Sequence, residues 1–249
     1  MRRAKLESAL VARGLVVDID EARRLIGIDQ VLVNGAVAAN PNRLIADSDQ
    51  LLLVKPSRFV SRGGEKREHA LATWAIETAG KVAADLGSST GGFTDCLLQR
   101  GCRQVIAVDV GEHLLHERLV ADDRVTVLSG VNVKDVERLP VDVADVVVVD
   151  LSFISATSAI PAVRKVIRGV ADVIVLVKPQ FEAMRAEADR FGGVIGDESI
   201  RQRTVGEVVT AFEGAGFEKR ATIESPIHGQ KGNIEYLTWF HKGPAAPSD

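Results

Sequence analysis

The chain has 249 residues, 46% of them hydrophobic, with 31 Lys and Arg against 34 Asp and Glu. That length gives room for one sizeable domain and a small appendage, because a domain usually takes about 100–200 residues. No apolar run approaches the roughly 20 residues of a membrane-spanning helix, and MRRAKLESALVARG lacks the apolar segment of a secretory signal, so a cytoplasmic protein without a membrane role is expected.

Charge is unevenly spread along the chain. Residues 1–68 carry twelve Lys and Arg against nine acids, and the first thirteen residues carry four against one, while the remainder is acidic. A basic face on a small N-terminal module suits a polyanion, with Arg2, Arg3, Lys5, Arg13, Arg23 and Arg24 as candidate phosphate contacts. LESALVARG and DEARRLIG hold apolar residues at helical spacing, the second opened by Asp20 as an N-cap. VLVNGAV then sets Asn34-Gly35 between two β-prone runs, the strongest short-range hairpin signal. LLLVKP closes this module at residue 55, and 56–60 reads as a linker.

From residue 61 the pattern changes. A helix is expected from about Lys66, followed by strands VAADL, QVIAVDV, RVTVL, DVVVVD and DVIVLV with helical stretches between them. Strands alternating with helices predict a parallel, doubly wound α/β sheet covered on both faces. FEKRATIES and NIEYLTWF, split by a Pro/Gly-rich turn, predict an antiparallel pair at one sheet edge. EAMRAEADRFGGVIGDES is long and polar and reads as a mobile loop over the site, with Arg185 and Arg190 as further phosphate contacts; 243–249 reads as a flexible tail. Cys96 and Cys102 form no CxxC pair and have no His pair nearby, so both read as buried thiols, with neither a disulfide framework nor a metal site expected.

The first of these strands ends at Asp85 and breaks into a loop with glycines at 87, 91 and 92, at the sheet end where open parallel sheets bind ligands. The loop is neither GxxxxGK[ST] nor GxGxxG, which speaks against a triphosphate or a dinucleotide. Asp109 ends the next strand, about 20 residues further on, placed to accept hydrogen bonds from both hydroxyls of a ribose. An acid beside the loop suits a cationic ligand, and a ribose-bearing cofactor without a pyrophosphate fits best: S-adenosylmethionine. The pattern resembles the class I S-adenosylmethionine-dependent methyltransferases. Asp150 stands at the tip of the fourth strand without the prolines of an [DN]PP[YF] base clamp, and neither cysteine is placed to attack a pyrimidine ring. Lys178 follows the fully apolar fifth strand, where a lysine is costly unless paired or deprotonated, and is therefore a candidate base.

SRGGEK, DLGSSTGGF, VVDLSFIS, VKPQFE and GNIEYL, in this order, resemble the TlyA family, the so-called hemolysin A proteins, which are ribosomal RNA 2'-O-methyltransferases related to the FtsJ enzymes. KLESALVARGL, DEARRLI and VLVNGAV are similar to the S-four RNA-binding module. The resemblance implies a small α+β RNA-binding domain over 1–55 and a class I, Rossmann-like methyltransferase domain over 61–242. That domain would have a seven-stranded, mostly parallel sheet with an antiparallel last hairpin. It implies S-adenosylmethionine as cofactor, S-adenosylhomocysteine as product, ribosomal RNA or ribosomal subunits as partner with a cytidine ribose as target, and no metal. It assigns a catalytic tetrad to Lys66, Asp150, Lys178 and Glu235. The cofactor site would comprise Asp85, Gly87, Ser89, Thr90 and Gly91, then Gly92, Phe93, Asp109, Val110 and Asn132, with Arg62 as a further RNA contact.

Four positions depart from the family pattern. Asp18-Ile19 replaces Ser-Arg, Leu32 replaces a basic residue, and Arg67 follows Lys66 in place of an apolar residue, so two phosphate contacts are missing and the first helix is expected to sit differently. Two other classes compete: a non-catalytic RNA-binding or ribosome-associated protein, against which the intact tetrad and glycine loop count, and a pore-forming hemolysin, for which no amphipathic or apolar spanning segment is present.

Overall fold

The computed structural model describes residues 3–27, 30–38, 40–53, 58–61, 63–190, 192–229 and 232–244. The chain divides into two compact units, Met1–Ser57 and Arg58–Asp249.

The first unit begins with β1 (Arg3–Lys5), α1 (Leu6–Ala12) and α2 (Ile19–Gly27). It continues with β2 (Val31–Val33), β3 (Ala36–Val37), β4 (Leu44–Ala46) and β5 (Leu51–Leu53). Antiparallel pairing gives a sheet in the order β3-β2-β5 and a separate β1-β4 pair. Asn34 (φ 53°) and Gly35 (φ 81°) both take positive φ, as the two central residues of a tight hairpin turn require. Leu6, Leu10, Ile26, Val31, Val33 and Ile45 make the core.

Asp18, rather than Asp20, caps α2: its Oδ1 accepts the Glu21 N–H at 2.8 Å, and the Glu21 carboxylate reaches back to the Val17 N–H. The strands β1 and β4 were not anticipated, because three residues are too few to show a period of two. Two of the basic candidates serve the fold. Arg13 donates to the backbone carbonyls of Ala46, Asp47 and Asp49, and Arg23 Nε pairs with the buried Glu7 at 2.7 Å. Arg24 lies 3.8 Å from Glu21, while Arg3 and Lys5 are exposed on β1. Arg2 lies outside the described residues.

The second unit contains α3 (Gly63–Thr73), β6 (Val82–Leu86), α4 (Gly92–Gln99), β7 (Gln104–Asp109), α5 (Glu117–Val120), β8 (Val125–Ser129) and β9 (Ala144–Val149). It then runs through α6 (Ile160–Val166), β10 (Ile167–Val177), α7 (Pro179–Glu182), α8 (Arg185–Arg190), α9 (Glu198–Gly214), β11 (Glu218–Glu224) and β12 (Tyr236–Lys242). The seven strands lie in the order β8-β7-β6-β9-β10-β12-β11. The first five of that order pair in parallel, and β12 runs antiparallel to both of its neighbours, so β11 is the edge of the expected hairpin and β12 is internal. Runs such as VVVV in β9 are buried on both faces because helices cover both sides. Strand order reverses at β6, flanked by β7 and β9, which opens a crevice at the carboxyl ends of these strands.

Three boundaries differ from expectation. Phe59 is buried in the second core, so this unit begins at Arg58 rather than beyond a linker. Helix α3 starts at Gly63, three residues before Lys66, because its N-terminus packs on α4: a Cβ on Gly92 would collide with Ser61 Oγ. The polar segment expected as a loop follows α7 and contains α8, and Asn233 ties it down by accepting the Ile195 N–H at 3.0 Å and donating to the Gly193 carbonyl at 2.9 Å. Residues 245–249 of the expected tail lie outside the described residues, and among those described no helix is long and apolar enough to cross a membrane.

Candidate active site

A cavity of about 760 Å³ opens at the carboxyl ends of β6, β7, β9 and β10. Its floor is the glycine loop. Gly87 and Ser88 donate their N–H groups to the Val108 carbonyl at 2.8 and 3.0 Å, which folds the loop back over β7. Gly87 has φ +93°, and a Cβ there would collide with the backbone carbonyl of Asp150, so the loop and the tip of β9 touch through backbone alone. Asp109, at the end of β7, is fixed by two backbone donors: Ser89 N–H to Oδ2 and Gly111 N–H to Oδ1, each at 2.8 Å. Each carboxylate oxygen keeps accepting capacity beyond its one backbone bond.

Most of the expected cofactor residues meet at this cavity. Gly87, Ser89, Thr90, Gly92 and Phe93 line it from the loop, and Asp109, Val110 and Asn132 from the neighbouring strand ends. Asp85 and Gly91 stand behind the wall instead. Gly91 packs against Leu115 and Leu119, while Asp85 is fully buried, with Oδ2 accepting the Thr94 hydroxyl at 2.7 Å and Oδ1 bonded to none of the described residues. Burial pushes the Asp85 carboxyl up to about 6. A strand-end acid reads the same in sequence whether it faces the ligand or the core.

All four tetrad residues line the cavity, as two ion pairs. Lys178 Nζ lies 2.6 Å from Asp150 Oδ1 and donates to Ser152 Oγ at 2.9 Å. Lys66 Nζ donates to Glu235 Oε2 at 2.5 Å. Lys66 comes from α3, Asp150 from the end of β9, Lys178 from the end of β10 and Glu235 from just before β12, so the sheet assembles residues far apart in sequence. Glu235 needs Gly229, where a Cβ would overlap the carboxylate. Glu182, whose carboxyl burial raises, accepts the Ala156 N–H at 2.7 Å and the Ser155 hydroxyl, tying α7 to the segment after β9.

The sequence reading missed Ser152, Phe153 and Phe181 as cavity residues, although all three stand within its quoted motifs. Phe153 is 84% exposed at φ +69°, a conformation rare for an aromatic residue, with its ring 5.3 Å from that of Phe181. Of the expected RNA contacts in this unit, Arg185 begins α8 and does not line the cavity. Arg62 and the side chain of Arg190 lie outside the described residues.

Two lysine–carboxylate pairs beside the fixed Asp109 carboxylate and the glycine loop give the cavity charged donors and acceptors for a polar ligand and groups able to exchange a proton. Comparison with known proteins agrees. Residues 59–242 match the FtsJ-like methyltransferase family model. The chain is 39% identical over 242 residues to "16S/23S rRNA (cytidine-2'-O)-methyltransferase TlyA" of Mycobacterium tuberculosis, covering 96% of this chain and 90% of the relative. It is 36% identical over 238 residues to "Hemolysin A" of Brachyspira hyodysenteriae, covering 95% and 99%. A solved structure of a protein named as a hemolysin, from Streptococcus thermophilus, superposes with a TM-score of 0.73 at 34% identity, covering 98% of this chain and 90% of that one. With most of the chain matched to the family model and to relatives along nearly their whole length, and with the site assembled at the family's sheet end, this chain belongs to the FtsJ-like methyltransferase family.

Proposed function

We propose that this chain methylates the 2'-hydroxyl of a cytidine ribose in ribosomal RNA, using S-adenosylmethionine, and that the Met1–Ser57 unit is its S-four-like RNA-binding module. The observation that carries the reading is Lys178, held between Asp150 and Ser152 in the cavity that also contains the glycine loop. The residues fit the methyl donor: Gly87, Ser89, Thr90 and Gly92 of the loop line the cavity, and Asp109 holds two fixed carboxylate oxygens ready for adjacent ribose hydroxyls. When bound, S-adenosylmethionine supplies a methyl group on a positively charged sulfur.

The protein's own part is binding, orientation and a proton. A ribose hydroxyl is a weak nucleophile and must lose its proton near the moment of attack, so the site needs a base at a fixed position. Lys178, once its ammonium has given up its own proton from the pair with Asp150, accepts the hydroxyl proton at Nζ. Asp150 and Ser152 set where Nζ points, and the Lys66–Glu235 pair holds a second ammonium in the same cavity to orient the ribose. Methyl transfer to ribosomal subunits followed by mass mapping of the RNA tests the reading: a new 2'-O-methyl nucleotide is expected, and methylation on a base overturns it.

Asp109→Ala is expected to weaken S-adenosylmethionine binding by about 1–3 kcal/mol, the cost of leaving polar partners unpaired, with little change in fold. Unchanged affinity by calorimetry would remove Asp109 from the donor site.

In the first unit, Arg3 and Lys5 are exposed on β1, whereas Arg13 and Arg23, although exposed too, bond to backbone carbonyls and to Glu7 within the module. Arg3→Glu with Lys5→Glu in the full chain should weaken RNA binding and flatten its logarithmic salt dependence by about 1.5–2. Arg13→Ala should instead lower the module's stability. A salt slope identical to wild type in the double variant shows that β1 does not face phosphates.

A further inference from the structure

Arg67 follows the catalytic Lys66 and is fully buried at 0% relative exposure. Its guanidinium lies over the Phe93 ring, 4.5 Å from the centroid, and none of its three nitrogens bonds to a described residue. A buried guanidinium is costly unless an opposite charge stands near. Burial pushes the Arg67 guanidinium down to about 10, and of the groups that counter this Asp85 acts most strongly, followed by Cys96, Asp150 and Cys102. Burial holds Cys96 up to about 12 and Cys102 up to about 11, so neither thiol is charged at neutral pH. Asp150 is committed to Lys178. That leaves Asp85 as the counter-charge.

The dependence is mutual. On Asp85, burial disfavours the carboxylate and Asp150 adds like charge, while the Thr94 hydroxyl, through its hydrogen bond, and then Arg67, as the nearby cation, offset them. The two groups reach the same turn of α4 by different contacts, Arg67 through Phe93 and Asp85 through Thr94. The seam between α3 and α4 is closed: a Cβ on Gly63 would lie 3.3 Å from the Phe93 ring, and one on Gly64 would overlap Phe59. Phe93 itself lines the cavity.

We infer that Arg67 is a positioning residue of the methyl-donor subsite: it keeps the Asp85 carboxylate charged behind the glycine loop and props Phe93 at the cavity wall. The inference rests on the donor reading above. A fixed negative charge behind the loop favours a cationic donor, and an arginine stays protonated while supplying the balance.

The test is a carboxyl-carbon NMR titration of the full chain without ligand, in wild type, Arg67→Met and Arg67→Lys, with Asp85→Asn to assign the signal. The Asp85 midpoint should rise by about one unit in Arg67→Met and return toward wild type in Arg67→Lys, which keeps the charge. Calorimetry with S-adenosylmethionine should show Arg67→Met about fivefold weaker near pH 6 and close to wild type near pH 8, where Asp85 is ionised in both. Equal midpoints, or an affinity loss that is the same at every pH, overturn the inference and leave Arg67 a packing residue. Absence of donor binding in wild type overturns the functional reading instead, and the titration still decides on Arg67. Should Arg67→Met not fold, Arg67→Met/Asp85→Asn, which removes both charges, is expected to fold and to bind without an acid limb. A double variant that also fails to fold overturns the inference.

Discussion

Lys178→Arg is expected to be as inactive as Lys178→Ala, each losing at least the 10²–10⁴-fold that a positioned base supplies. The arginine variant keeps a positive charge beside Asp150 and can still form a strong pair with its carboxylate, so the local fold and the cavity's charge survive. What it loses is a nitrogen able to exist as a free base, because a guanidinium does not give up its proton at any accessible pH. Both variants should bind S-adenosylmethionine and RNA nearly as wild type, which confines the loss to the chemical step. Lys178 sits in one ion pair with Asp150 and a hydrogen bond to Ser152, so Asp150→Ala and Lys178→Ala should cost far less together than the sum of each alone. Single-turnover methyl transfer across pH is the measurement. Substantial rate in Lys178→Arg would make Lys178 an electrostatic clamp and send the proton elsewhere, with Asp150 the next acceptor.

Much of this architecture was legible because it is written in local patterns. The apolar runs of β6, β7, β9 and β10 announce buried parallel strands, and Asn34-Gly35 announces a hairpin. Less legible was which way a polar side chain turns. Asp85 and Asp109 both stand at strand ends, yet one is buried against Thr94 and the other is pinned at the cavity by the N–H groups of Ser89 and Gly111. Arg13 reads as a free cation, but the chain returns through residues 46–49 to place three carbonyls around it. Arg67 breaks the apolar rule for its position, and its guanidinium lies instead over the aromatic face of Phe93. Such long-range partners are set by topology, which local periodicity does not encode.

Gly87→Ala is expected to damage donor binding and chemistry together. The added methyl meets backbone on one side, colliding with the Asp150 carbonyl oxygen and lying 2.9 Å from its carbonyl carbon, while φ +93° is a conformation that a side chain strains. Relief requires moving the loop, the tip of β9, or both. The two are already tied, since the Asp150 N–H donates to the Leu86 carbonyl at 2.9 Å. Strain at such a φ costs about 1–3 kcal/mol, and overpacking a closed contact adds a similar amount. Any shift of Asp150 carries its carboxylate away from Lys178, so the rate at saturating donor should fall along with donor affinity. Gly91→Ala is the informative contrast. It has a similar φ of +92°, but its methyl would meet the side-chain ends of Leu115 and Leu119, which can yield without moving Asp150. That variant should lose stability and some donor affinity while keeping most of its single-turnover rate when donor is saturating. Thermal unfolding, donor calorimetry and single-turnover rates on the two variants separate the cases. Equal rates in Gly87→Ala and Gly91→Ala would show that the loop and Asp150 are not mechanically coupled, because the two substitutions share their backbone strain and differ in what the methyl strikes.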